Sequence, residues 1–83
     1  MITALHAQRL DAVDAVLRDA GARTVLDLGC GDGALVLRLA AAPELVRIVG
    51  VEPQAPRLAE LARQLEDAPS ADAGKVELIE ASL

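Results

Sequence analysis

The sequence predicts an α/β fold, the N-terminal half of a doubly wound parallel sheet in the order helix, then β-α-β-α-β. Three observations predict it. An apolar run, Val25-Leu26-Asp27-Leu28, leads directly into glycines at alternate positions, Gly29, Gly31 and Gly33. Apolar residues at helical spacing follow. A second apolar run, Val46 to Val51, then ends at an acid, Glu52, about 25 residues beyond Asp27.

From Ala4 to Ala20, the residues Leu10, Val13, Leu17 and Ala20 recur at helical spacing beside Arg9, Asp11, Asp14, Arg18 and Asp19. This pattern predicts an amphipathic helix whose core face carries those four apolar residues. Asp14 and Arg18 have the i, i+4 spacing of an ion pair, and Gly21 suits a helix stop. Thr24 to Leu28 reads as a short strand. Ala34 to Ala42 reads as a helix with Leu35, Val36, Leu39 and Ala40 on one face, closed by Pro43. Two strands joined through a helix imply a parallel pair with a right-handed crossover. After Pro53 and Pro56, the positions Leu58, Leu61, Ala62 and Leu65 mark a third core-facing helix, and Asp67 to Gly74 reads as a loop. Lys75 to Glu80 mixes apolar residues with three charges, as an edge strand does.

The expected local strand order is third, second, first. Residues 1–83 therefore read as part of one domain, truncated after the third strand. In the complete topology the first strand is central, so Val25, Leu26 and Leu28 would lack a neighbour here. Self-association through that exposed central strand is one expectation.

Composition narrows the function classes. The chain is 53% hydrophobic but has no Phe, Trp or Tyr, so its core must be Leu, Val, Ile and Ala, and no aromatic ring can stack on a ligand. A net charge of -5 with scattered basic residues argues against a nucleic-acid grip within this segment. Cys30 is the only cysteine and cannot form an internal disulfide, which fits a reducing compartment. Met1-Ile2-Thr3 lacks the start of a signal peptide, and Arg38 breaks the longest apolar stretch, so a cytoplasmic location without a membrane span is expected. No metal-ligand spacing is present.

A strand running through alternate glycines into a helix lets backbone approach a ligand closely, and ligands of open α/β sheets sit at the strands' carboxyl ends. Glu52 suits a ribose there, because one carboxylate can accept hydrogen bonds from both hydroxyls of a vicinal diol. Asp27 is a carboxylate in an apolar strand end and needs a partner, either a cofactor or the N–H groups of the turn it would then pin. Cys30 and Asp32 read as turn residues, and His6 as a solvated helix residue. Gly29, Gly31 and Ala34 also meet the pattern G-x-G-x-x-G/A, which keeps an NAD-binding half-domain open. Gly33 tightens the spacing, and Asp27 would set a negative charge beside a diphosphate. Both favour a nucleoside ligand without one.

The segment Asp27-Leu28-Gly29-Cys30-Gly31-Asp32-Gly33 resembles the first motif of the class I S-adenosylmethionine (SAM)-dependent methyltransferases, a Rossmann-like family. The resemblance implies SAM as cofactor, with Gly29, Gly31 and Gly33 beside its methionine and ribose parts. It implies Asp27 near the amino-acid portion, Glu52 on the ribose hydroxyls and Pro53 flanking the adenine. Many members carry an acid near the end of the third strand that reads the adenine amino group; Ser82 stands there in this chain, where it could contact the base or cap a loop.

Gln8-Arg9-Leu10, Ala12-Val13, Gly21 to Asp27, Arg47 to Val51 and Ala81-Ser82-Leu83 together resemble the bacterial small-RNA 3′-terminal ribose 2′-O-methyltransferases. That likeness implies an RNA 3′ end as methyl acceptor and a divalent metal held by Glu and His residues beyond the third strand, in the complete protein only. No catalytic residue is assigned, and the isolated chain is expected to be inactive. A non-enzymatic fragment or pairing module is the rival in another class.

Overall fold

The computed structural model describes residues 4–69 and 71–82, with backbone alone for residues 4–7, so the His6 side chain lies outside the described residues. The elements run α1 (Ala4–Asp19), β1 (Thr24–Leu28), α2 (Ala34–Ala40), β2 (Arg47–Glu52), α3 (Ala55–Asp67), a 3-10 turn (Ala73–Lys75) and β3 (Val76–Glu80). The three strands form one parallel sheet in the order β1-β2-β3, the predicted order, with β2 central.

Register decides which residues share a face. Val25 pairs with Ile48 and Ile48 with Val76; these point toward the helices, where Val36, Leu39, Leu61 and Leu65 complete a core of aliphatic side chains. The alternate residues Leu26, Val49 and Glu77, then Leu28, Val51 and Ile79, share the opposite face. Its β1 residues are open, Leu26 58% and Leu28 54% exposed, while Val51 on the central strand is buried. The free edge of β1 has no strand beside it among the described residues.

The core face of α1 differs from its prediction. Leu10 and Asp14 are buried and Leu17 half-buried, whereas Val13 and Ala20 are exposed. The inward stripe is thus Leu10, Asp14, Leu17. A carboxylate is tolerated there because Arg18 Nε donates to Asp14 Oδ1 at 2.9 Å and Arg38 Nε to Oδ2 at 3.2 Å. The Arg18 hydrogen bond, more than any other contact, holds the Asp14 carboxyl below the ordinary aspartate range. Arg38 also reaches Asp11, so one guanidinium on α2 fastens two turns of α1. The helix ends at Asp19 with Gly21 just past it as the predicted stop, where Ala22 N–H donates to Leu17 O and Gly21 N–H to Arg18 O, both at 3.0 Å.

Two other boundaries shift. Helix α2 stops at Ala40, short of the predicted Ala42, before the residues that lead into Pro43. Lys75 leaves the third strand for the 3-10 turn, where its Nζ donates to Ala42 O at 2.6 Å and Leu45 O at 3.1 Å. The lysine thereby caps the carbonyls that follow α2. Pro56 sits in the first turn of α3, a position that lacks an N–H partner anyway, and Leu61 and Leu65 face the core while Ala62 is exposed.

Candidate functional site

The carboxyl ends of β1 and β2 bring together most of the residues singled out in the sequence. Gly29 and Cys30 both donate their N–H groups to Val51 O, at 2.8 and 2.9 Å, which folds the turn after β1 back onto the end of β2. The turn's next N–H, that of Gly31, donates to Glu52 Oε1 at 3.0 Å, and Gln54 N–H donates to Oε2 at 2.9 Å. Glu52 is only 5% exposed. Its carboxylate pins the glycine turn and the start of α3 together, and each oxygen retains acceptor capacity for a ligand hydroxyl.

Asp27 behaves in the opposite way. No hydrogen bond or ion pair reaches its carboxylate among the described residues, and the N–H groups of Gly29, Cys30, Gly31 and Gly33 are committed to Val51 O, Glu52 and Cys30 O. Burial alone pushes its pKa above the ordinary value. The pinning role that the sequence left open for Asp27 is taken by Glu52, and Asp27 stands as a half-buried acceptor without a donor.

That shift has a consequence for stability. Folding favours the protonated form of Asp27, so the folded state is penalised as pH rises from the ordinary aspartate pKa of about 4 through the raised folded value. Asp27→Asn should therefore be more stable than the native chain at pH 7, by under about 1 kcal/mol because solvent screens a half-exposed group. The difference should vanish on acidification below pH ~4. Urea unfolding at several pH values checks it, and an Asp27→Asn variant less stable at pH 7 would contradict the assignment.

The three glycines have distinct surroundings. Gly29 (φ +70) has nothing within 4 Å of where a Cβ would stand, so its Cα faces open space that a ligand can enter. Beside Gly31, the guanidinium Nη1 of Arg57 lies 3.5 Å from the corresponding position. Gly33 is buried, and a Cβ there would fall 2.4 to 2.6 Å from the methyl groups of Leu61. Gly33 thus permits α2 and α3 to approach each other.

Cys30 lies under the turn, buried, with its Sγ facing Gly50. Burial first, then the charges of Asp27 and Glu52, push its thiol pKa up, so it is not poised as a thiolate nucleophile. Asp32 accepts from Ala34 N–H at 3.1 Å, a turn role as predicted. Pro53 is exposed in the bend after β2. Ser82 is exposed beyond β3; its neighbour Ala81 donates to Glu52 O at 3.2 Å, which draws this segment to the same rim.

Two residues of the site escaped sequence reasoning. Gln54 contributes only a backbone N–H, which leaves no compositional trace. Arg57 sits in the first turn of α3 and lines a groove of about 470 Å³ with Asp32, Pro56, Glu60 and Gln64. Its signal was a lone cation closely following the strand-end acid. Among the described residues no group of three or more His, Cys, Asp or Glu could hold a metal ion, and no helix is long and apolar enough to cross a membrane.

Comparison with known proteins places this geometry. A family model described as "Methyltransferase domain" matches residues 25–83. The methyltransferase domain of bacterial CtHen1 superposes with a TM-score of 0.83 at 31% identity, covering 94% of this chain and 42% of that one. WbdD, solved with the kinase inhibitor LY294002, gives a TM-score of 0.66 at 30% identity over 89% of this chain and 17% of its own. YjhP from E. coli, at 22% identity and a TM-score of 0.68 over 87% of this chain and 28% of its own, shares the fold. No curated protein matches. The chain thus spans less than half the length of the CtHen1 domain it resembles.

Proposed function

The chain belongs to the methyltransferase-domain family, with the N-terminal half of the Rossmann-like methyltransferase fold, and from that premise we propose that its rim binds SAM for methyl transfer. The observation that carries the proposal is the pairing of a buried, doubly anchored Glu52 with an open glycine turn. The residues fit the cofactor: Asp27 is an acceptor without a donor, suited to the ammonium of an amino-acid moiety, and Gly29 leaves space where side chains would intrude. Glu52 would take the ribose hydroxyls with its free lone pairs. Pro53 and Ser82 stand on the same rim, where the base would lie.

Bound SAM supplies a methyl group activated by its sulfonium. The chain's own residues orient that donor: Glu52 fixes the sugar, Asp27 the amino-acid end, and the turn between them holds the two apart. No residue of this segment is assigned as a base.

The finer reading is an RNA 3′-terminal ribose 2′-hydroxyl as methyl acceptor, in a cytoplasmic protein. The likeness to the CtHen1 domain supports the acceptor, together with the stretches from Gln8 to Val13, Gly21 to Asp27, and Arg47 to Val51. With a net charge of -5 in this segment, RNA contact would fall to basic residues elsewhere.

Calorimetric titration with S-adenosylhomocysteine, the product form of the cofactor, and with NAD tests the proposal. Binding of the first alone is expected. Binding of NAD alone would transfer the site to a dinucleotide. The free edge of β1 and its exposed leucines favour one further reading, a module that pairs with another chain. Light scattering that shows self-association, with neither ligand bound, would support that reading instead.

A further inference from the structure

The eight basic residues of the chain are not equivalent. Arg18, Arg38, Arg47 and Arg63 are held in ion pairs, and Lys75 is held by two carbonyls. Arg9, Arg23 and Arg57 have no acidic partner among the described residues, and of these three Arg57 is the one beside the glycine turn, in a groove that Asp32 and Glu60 also line. Both acids are engaged elsewhere, Asp32 with Ala34 N–H and Glu60 with Arg63 and Gln64. One guanidinium nitrogen of Arg57, Nη1, instead approaches the middle glycine of the turn, 3.5 Å from where a Cβ on Gly31 would stand. Glu52 grips the same glycine through its N–H.

A purine offers two flat faces for side chains to cover, and beside Pro53 this chain has no aromatic side chain to cover the second. Guanidinium is the planar group that replaces it, since it stacks on π faces and adds a cation–π attraction. If Glu52 holds the 2′ and 3′ hydroxyls, the base extends from the adjoining C1′ carbon, beside the sugar that Glu52 places next to Gly31 and the approaching Arg57 nitrogen.

We infer that Arg57 supplies the stacking face for the adenine ring of the bound cofactor, in the place of an aromatic residue. This rests on the SAM reading above and goes beyond it, by assigning base recognition to a residue of α3. A cation serving only as a charge partner would act on a different part of the ligand, because the single anionic group of S-adenosylhomocysteine is the carboxylate of its amino-acid end.

Calorimetric titration of the chain with S-adenosylhomocysteine and with S-ribosylhomocysteine, the same molecule without the base, tests the assignment. Arg57→Ala should lower affinity for the first by about three- to thirtyfold and leave the second unchanged. Arg57→Lys keeps the charge but loses the plane and should fall with it, whereas the flat, uncharged Arg57→Phe should restore most of the affinity. Arg57 is exposed, so these variants should fold, and circular dichroism verifies that they do. Equal losses for both ligands, undiminished affinity in Arg57→Lys, or no change in any variant would overturn the stacking role. A native chain that binds neither ligand overturns the cofactor reading and this assignment together. A native chain that binds, with Glu52→Ala impaired and Arg57→Ala unaffected, overturns the Arg57 assignment alone.

Discussion

Glu52→Ala should reduce affinity for S-adenosylhomocysteine by about a hundredfold or more in calorimetric titration, because two charge-assisted hydrogen bonds worth about 1.5–3 kcal/mol each would be lost. Glu52→Gln is the more telling variant. In the native chain both carboxylate oxygens accept backbone N–H groups, from Gly31 and from Gln54. A carboxamide offers one oxygen and one NH2, so one of those donors would face another donor. Urea unfolding should then show Glu52→Gln destabilised by about 1–3 kcal/mol even without ligand. A strand-end glutamate turned toward water would show no such loss, and an unchanged midpoint would remove the anchoring role.

Gly33→Ala should be the most damaging single-methyl change in the chain. The new Cβ would meet Leu61 methyl groups at 2.4 to 2.6 Å, and the residue is held at φ +77. Overpacking of about 1–3 kcal/mol adds to a left-handed backbone penalty of about 1–2 kcal/mol. For a chain of this size each kcal/mol lowers Tm by roughly 4–8 °C. Leu61→Ala alone should also destabilise, by about 2–5 kcal/mol, through its cavity. The double variant should lose less than the two singles combined, since the truncated Leu61 leaves room for the new methyl. Strict additivity in thermal melts would contradict the proposed contact.

The strand, turn and helix that frame the site were legible because each carries a local signal: an apolar run, alternate glycines, a helical period. Parallel pairing and strand order followed from connection rules. The phase of α1 was not legible, since Val13 and Asp14 are adjacent and the tie that draws Asp14 toward α2 comes from Arg38, 24 residues away. The same holds at the site. The sequence singled out Glu52 as a candidate for a ribose, but its grip on Gly31 spans 21 residues and shows only in three dimensions. Gly33 was read as part of the ligand cradle, and its surroundings add a packing role against Leu61 that no spacing rule encodes.

The end of β2 gathers backbone from three separate segments: the glycine turn through Val51 O and Glu52, the start of α3 through Gln54, and the exit of β3 through Ala81. A ligand arriving at this junction meets main chain already immobilised by the fold, so little conformational freedom remains to be lost on association. Preorganisation of that kind should register as slow amide exchange at Gly31 and Gln54 in the ligand-free chain, with small further slowing once the nucleoside is seated.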